Sequence, residues 1–219
     1  MSEVITVNLE DPEPDRVDRV VSALREGAIV AYPTETFYGL GVNIADEQAI
    51  KRLFDLKRRD YSNPIAVVVS DRNMLVRYVT DIPDKALLLM DNFWPGPLTI
   101  LFKTTSAVSK SLTTNTGKIG IRISSHPVAQ ALVKRLGYPL TTTSANLSGL
   151  PPSFNVRHLK NYFGDKIGFI IDGGELAPSM GSTVVDVTED KLTIIREGII
   201  RGEVLFPFFE EANEEENAR

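Results

Sequence analysis

The chain of 219 residues has no cysteine, two histidines and one tryptophan. Without cysteine there can be no disulfide, no thiolate nucleophile and no Cys-ligated zinc or iron–sulfur site, which fits a reducing cytoplasm. The histidines, His126 and His158, stand far apart without paired carboxylates, and no metal site is expected from them. No apolar run approaches the roughly 18 residues of a membrane span. The opening MSEVITVNLEDPEPDR turns acidic where a secretory leader needs a basic start and an apolar core. A cytoplasmic protein without membrane contact is expected, with chemistry built from oxygen and nitrogen groups. The signatures GxxxxGK[ST], GxGxxG after the first strand, GxSxG and HExxH are also missing.

What is present supports a folded chain: 42% apolar residues, with a formal net charge of −5. An acidic balance does not suggest a broad nucleic-acid face, so any anion site must be local. No repeat and no long linker divides the chain, and residues 1–206 are expected to form one domain. The end, 207–219, contains EEANEEENAR and reads as an acidic, flexible tail.

Periodicity predicts an alternation of strands and helices. VITVNL reads as an edge strand, and EPDRVDRVVSALREG as a helix with Val17, Val20, Val21 and Leu24 inward, closed by Gly27. AIVAY is a buried strand leading into the loop PTETFYGLG. Asp46 is placed to cap a helix over EQAIKRLFDLKRR. PIAVVVS, PLTILFK, IGIRIS, PLTTTS, IGFIID, STVVDVT and KLTIIRE read as strands, and DRNMLVRYV, PDKALLLMDNF, PVAQALVKRLG and VRHLKNYFG as helices. The class is α/β, with one mixed sheet.

Four strand ends carry more polar groups than a turn requires: PTETFYGLG, TTTSANLSG, MGSTVVD and the end of KLTIIREG. In open α/β sheets ligands collect at strand ends, and hydroxyls, a carboxamide and glycine-exposed N–H groups suit a phosphate or a small amino acid. TTTSANLSG reads equally well as a turn whose Ser and Asn side chains satisfy the backbone. In KRRDYSNP three cations end a helix, where they either complement its dipole or clamp a phosphate. Arg122 alternates with Ile121 and Ile123, and an inward arginine calls for an anion. Trp94 in FWPGPL reads as a packing anchor, and both histidines as structural or surface groups.

Together, YPTETFYGLG, KRRDYSNP, GIRIS followed by HP, TTTSANLSG, STVVD and the late REG resemble the YrdC-like threonylcarbamoyl-AMP synthases, in the same order, over roughly residues 15 to 200. That resemblance implies a twisted, mostly open mixed sheet with flanking helices around a positively lined cavity. It also implies an enzyme that condenses L-threonine, bicarbonate and ATP into threonylcarbamoyl-AMP and pyrophosphate, with Mg2+ accompanying ATP. The product serves tRNA threonylcarbamoyladenosine modification beside the anticodon, through handover to a tRNA threonylcarbamoyl transferase complex, with weak tRNA binding. The chain resembles the short form of the family.

Carried over residue by residue, the resemblance makes Lys57 and Arg59 the K-x-R pair and Ser144 and Asn146 the S-x-N pair, the four catalytic candidates. Lys57, Arg59, Asn63, Lys118, Ser144 and Arg196 are assigned to ATP, and Thr34, Arg122, Thr142 and Ser182 to threonine. Lys57 and Ser144 are expected at a wet cavity. A carbamate attacking a phosphate brings two anions together, so fixed cations and hydroxyl donors supply what the reaction needs. Asp60 departs from the usual proline, and PIAVVVS lacks a strand-end histidine. Two competing readings are a non-catalytic RNA- or nucleotide-binding protein on the same fold, and part of a hydrogenase-maturation enzyme. Retention of the four candidates opposes the first, and the missing zinc-finger cysteines and acylphosphatase segment oppose the second.

Overall fold

A computed structural model describes residues 2–114, 116–189 and 191–208. In chain order the elements are β1 (Glu3–Thr6), α1 (Pro14–Arg25), β2 (Val30–Pro33), β3 (Tyr38–Gly41), α2 (Glu47–Lys57), β4 (Val67–Val68), α3 (Arg72–Leu75), α4 (Asp84–Phe93) and β5 (Leu98–Lys103). They continue with α5 (Lys110–Thr113), β6 (Lys118–Arg122), α6 (Pro127–Leu136), β7 (Leu140–Thr141), β8 (Thr143–Ser144), α7 (Val156–Phe163), β9 (Phe169–Asp172), β10 (Thr183–Asp186) and β11 (Thr193–Arg196). A final helix, α8, spans 202–208.

The strands form two mixed sheets where the periodicity suggests one, with orders β1-β9-β2-β3-β8 and β11-β10-β5-β6-β4-β7. The switch lies inside PLTTTS. β7 pairs with β4 in the second sheet, β8 pairs with β3 in the first, and only Thr142 separates them. A polar run without an unbroken face lets the chain change sheets there, because neither sheet gains from holding all six residues.

Most expected elements are present. Helix α1 buries Val17, Val20, Val21 and Leu24, and Gly27 takes φ +86 just beyond it. Asp46 caps α2 by accepting from the amides of Gln48 and Ala49, both at 2.9 Å. β1 is an edge strand, as expected. PIAVVVS pairs only over Val67–Val68. Three elements, β3, α5 and α8, escape a pattern reading. β3 carries two glycines, which depress strand propensity. α5 is a single turn.

The glycines of β3 have a steric cause. Tyr32, fully buried on β2, donates its hydroxyl to the carbonyl of Thr141 at 2.9 Å and lies against the neighbouring strand. A Cβ on Gly41 would stand 2.8 Å from both Tyr32 Cε1 and Leu140 Cγ. The aromatic ring occupies the space a side chain would fill, so close approach of the two strands requires glycine. Burial also pushes the Tyr32 hydroxyl up to about 12, keeping it a donor.

Trp94 is a packing anchor, its indole donating to the Leu98 carbonyl at 2.7 Å. His126 caps α6, its Nδ1 accepting from the Val128 amide, and His158 is exposed on α7. α8 crosses the tail boundary expected at 206, and Phe208 packs edge-on to Phe93 at 5.1 Å between ring centres. EEANEEENAR lies outside the described residues.

Gly41→Ala should therefore overpack the interface between β2 and β3. A loss of roughly 1–3 kcal/mol in unfolding free energy is expected, read as a lower urea midpoint at unchanged slope. An unchanged midpoint would show that Tyr32 and Leu140 have room to move.

Candidate active site

Between the two sheets lies a cavity of about 230 Å³. The first sheet and its loops contribute Thr34, Thr36, Gly39, Thr143 and Ser144 to its wall, and the second contributes Thr99, Leu101, Gly120, Arg122, Val184 and Arg196. Thr142, Ser182, Arg59 and Tyr38 complete its polar lining. No carboxylate is among the lining residues.

Helix α2 explains how the K-x-R pair is aimed. Ile50, Leu53, Phe54 and Lys57 form one buried stripe at helical spacing, so Lys57 enters the protein on the apolar face. Arg58 then takes the left-handed conformation at φ 51, ending the helix, and the Arg59 amide returns to the Phe54 carbonyl at 3.0 Å. The turn reverses the chain and sends Arg59 to the cavity. Its guanidinium is braced by the carbonyls of Asn63 at 3.0 Å and Pro64 at 2.8 Å. Asn63 thus meets the site through its main chain.

Lys57 does not line the wet cavity, contrary to expectation. It is 1% exposed, and its Nζ donates to the main-chain carbonyls of Ser144 and Asn146, the latter at 2.8 Å. The apolar stripe that continues through it is the reason. Burial, followed by the neighbouring Arg59 charge, pushes its amine down to about 7.

The S-x-N turn rests on this lysine. Ser144 donates its hydroxyl to Asn146 Oδ1 at 2.6 Å, and Asn146 Nδ2 donates to the Leu147 and Leu150 carbonyls. Ser144 lines the cavity, while Asn146 is buried behind it.

Arg122 is 3% exposed at the end of β6. Its Nη1 donates to Glu35 Oε1 at 2.9 Å and its Nη2 to Thr142 Oγ1 at 3.3 Å, while Nε is buried without a partner. A buried donor without an acceptor is destabilising by about 1–3 kcal/mol, which a bound anion would relieve. Across the cavity Arg196 donates to the Ser182 carbonyl at 2.8 Å and to its hydroxyl at 3.1 Å. Thr99 donates to the same hydroxyl at 2.9 Å.

The positive groups act on each other. Burial, then the Arg196 charge, lowers Arg59, and burial, then the Arg122 charge, lowers Arg196. Like charges in one cavity favour a polyanionic occupant. The Thr34 hydroxyl is already engaged with the Phe37 carbonyl at 2.6 Å and shapes the loop from within.

Lys118 is not brought to this cavity. Its Nζ pairs with Asp186 at 3.0 Å and Glu189 at 2.8 Å, at the far end of β6 from Arg122. Those carboxylates raise its pKa and satisfy its charge locally.

Pattern reading passed over Thr36, Thr99, Gly120 and Glu35. Thr99 carried a signal, since alternation in PLTILFK puts it on one face with Leu101. Gly120 carried none: a Cβ there would meet Thr99 Cγ2 at 2.9 Å, a crowding visible only in three dimensions.

Among the described residues no group of three His, Asp or Glu side chains could hold a metal ion, and no helix is long and apolar enough to cross a membrane. The donor set here is cationic and hydroxylic, which does not fit a resident magnesium ion.

Comparison with known proteins adds a second line of support. The sequence model of the family Sua5_yciO_yrdC, described as telomere recombination, matches residues 22–198. The chain is 38% identical over 175 residues to a threonylcarbamoyl-AMP synthase of Pyrococcus abyssi, covering 80% of this chain and 52% of that protein. It is 33% identical over 186 residues to a threonylcarbamoyl-AMP synthase of Photobacterium profundum, covering 84% of this chain and all of that one. The chain therefore spans about half the length of the first relative and the whole of the second. The crystal structure of P. abyssi Sua5 complexed with L-threonine superposes with a TM-score of 0.91 at 34% identity, covering 96% of this chain and 62% of that one.

The lowered Lys57 pKa fixes a pH dependence. Unfolded, the lysine keeps its ordinary 10.5, so between about 7 and 10.5 the unfolded chain holds a proton that the native state lacks. Stability from this group should rise through that window, by up to about 1.4 kcal/mol per pH unit, and the penalty should be fully present below about 7. Lys57→Met should lack that slope, so its stability relative to the parent should fall between pH 7 and 9 in urea melts. Parallel pH profiles would mean that Lys57 stays charged inside its cage of carbonyls.

Proposed function

The chain belongs to the Sua5/YciO/YrdC family, and on that premise we propose that it is an L-threonylcarbamoyladenylate synthase. In this reading it condenses L-threonine, bicarbonate and ATP into threonylcarbamoyl-AMP and pyrophosphate. The observation that carries it is the meeting of Arg59, Arg122 and Arg196 in one hydroxyl-rich cavity, where buried Arg122 Nε lacks an acceptor. The threonine carboxylate supplies that acceptor in a charge-assisted hydrogen bond. Thr34, Thr142 and Ser182 surround the amino acid, and recognition of its hydroxyl by polar groups rejects analogues that lack it.

The threonine amine attacks the bicarbonate carbon, and water leaves to give a carbamate. A carbamate oxygen then attacks the α-phosphorus of ATP, and the bond to the β-phosphate bridging oxygen breaks, releasing pyrophosphate. Carbamate and triphosphate, the partners of the second step, are both anions. Arg59 and Arg196 hold the phosphates, with the Ser144 hydroxyl beside them, and lower the repulsion that would keep carbamate and phosphate apart. Lys57 fixes the Ser144–Asn146 turn by donating to both main-chain carbonyls. The chain offers no cage for magnesium, so the ion expected with ATP arrives on the phosphates. Lys118, paired with Asp186 and Glu189, and the Asn63 side chain take no part in this reading.

Residues 1–206 are assigned to the synthase domain, acting in the cytoplasm. Handover of the adenylate to a tRNA threonylcarbamoyl transferase complex, with weak tRNA binding, completes the proposal. The RNA-binding alternative is disfavoured by the net charge of −5, which offers a phosphate backbone no broad basic face.

Pyrophosphate release from ATP and magnesium should require threonine and bicarbonate together. Arg122→Met should raise the threonine KM about a hundredfold, near 3 kcal/mol, with the ATP KM within about twofold of the parent. No release with both substrates present, while ATP binds, would overturn the proposal.

A further inference from the structure

Glu35 is the charge in this region that the reaction does not use. It sits between Thr34 and Thr36, which face the main cavity. Glu35 lines a second cavity with Ser179, Met180 and Arg201, and the two threonines line both. Its carboxylate is held at both oxygens: Oε1 accepts from Arg122 Nη1 at 2.9 Å and Oε2 accepts from the Ser124 hydroxyl. Ser124 is fully buried, and its oxygen in turn accepts from the His126 amide at 3.2 Å. A carboxylate fixed on a buried hydroxyl and a helix start is a rigid support.

Two edges of the Arg122 guanidinium are therefore distinguished. Nη1 is tied to Glu35 and Nη2 to Thr142, so rotation about the end of the side chain is stopped from both sides, and Nε is left without an acceptor. Resting on the synthase reading, we infer that Glu35 is a positioning residue. It fixes the Arg122 guanidinium so that its unpaired edge receives the carboxylate of the amino acid substrate, and so makes the site selective for amino acids with a free carboxylate. Without Glu35 the guanidinium can turn and satisfy itself elsewhere, and a pre-organised fork becomes a mobile one.

The test measures binding of L-threonine and of L-threoninol, which has no carboxylate, to the whole chain by calorimetry in the presence of a non-hydrolysable ATP analogue. Glu35→Ala should weaken threonine about tenfold and threoninol less than twofold, narrowing the ratio that the parent shows. Glu35→Gln, which keeps an acceptor at the same reach, should restore most of the ratio. Ser124→Ala, which removes only the second hold, should move it in the same direction by a smaller factor and serves if Glu35→Ala does not fold. Equal weakening of both ligands, no weakening of threonine, or a Gln variant as impaired as the Ala variant overturns the inference. A parent protein that binds no threonine removes the synthase reading itself, and this inference falls with it. Threonine binding in the parent with an unchanged ratio in the variants removes only the role of Glu35.

Discussion

The gathering of cations around one cavity, with no carboxylate in its wall, is the constraint on which the rest of the site depends. Burial, and then the charge of the next group, lowers Lys57, Arg59 and Arg196 in a series that ends at Arg122, and no carboxylate lines the cavity that Arg59, Arg196 and Arg122 share. Such an arrangement is unfavourable unless each group is held by neutral acceptors. Main-chain carbonyls perform that task for Lys57, Arg59 and Arg196, and the Ser182 hydroxyl assists Arg196. Neutral acceptors leave the positive potential unquenched, as an anion site requires. Glu35 is the exception, touching Arg122 from outside the main cavity.

The two short motifs gain a physical meaning here. In K-x-R the middle residue, Arg58, adopts the left-handed conformation, so its neighbours point to opposite destinations, one into the core and one into the cavity. In S-x-N the serine faces the ligand space while the asparagine secures the following turn through its side-chain amide. The motifs are joined by the Lys57 amine, which holds the carbonyls of both Ser144 and Asn146.

Much of this was legible in the sequence. The stripe at Ile50, Leu53 and Phe54 gave helix α2, and alternation around Arg122 gave an inward arginine. The same stripe extended to Lys57 would have placed the amine in the core, but a lysine at a helix end reads naturally as a surface charge. Glycine-rich β3 was hidden because its residues answer to Tyr32, a contact outside any local pattern. Lys118 alternates with Gly120 and Arg122 on one face, and only the approach of Asp186 and Glu189 shows its charge to be satisfied away from the cavity.

The passage of the chain between sheets at Thr142 has a consequence for how such a site can diversify. Side chains alternate along each strand, so adding or deleting one residue between Leu140 and Ser144 would reverse which face is presented on one side of the crossing while the other stayed fixed. Thr142, whose amide donates to the Ala66 carbonyl at 2.7 Å, leaves no slack to absorb the change. Changes in chain length are therefore expected to be tolerated only in segments remote from this crossing. Change at the crossing itself is limited to exchanging one side chain for another.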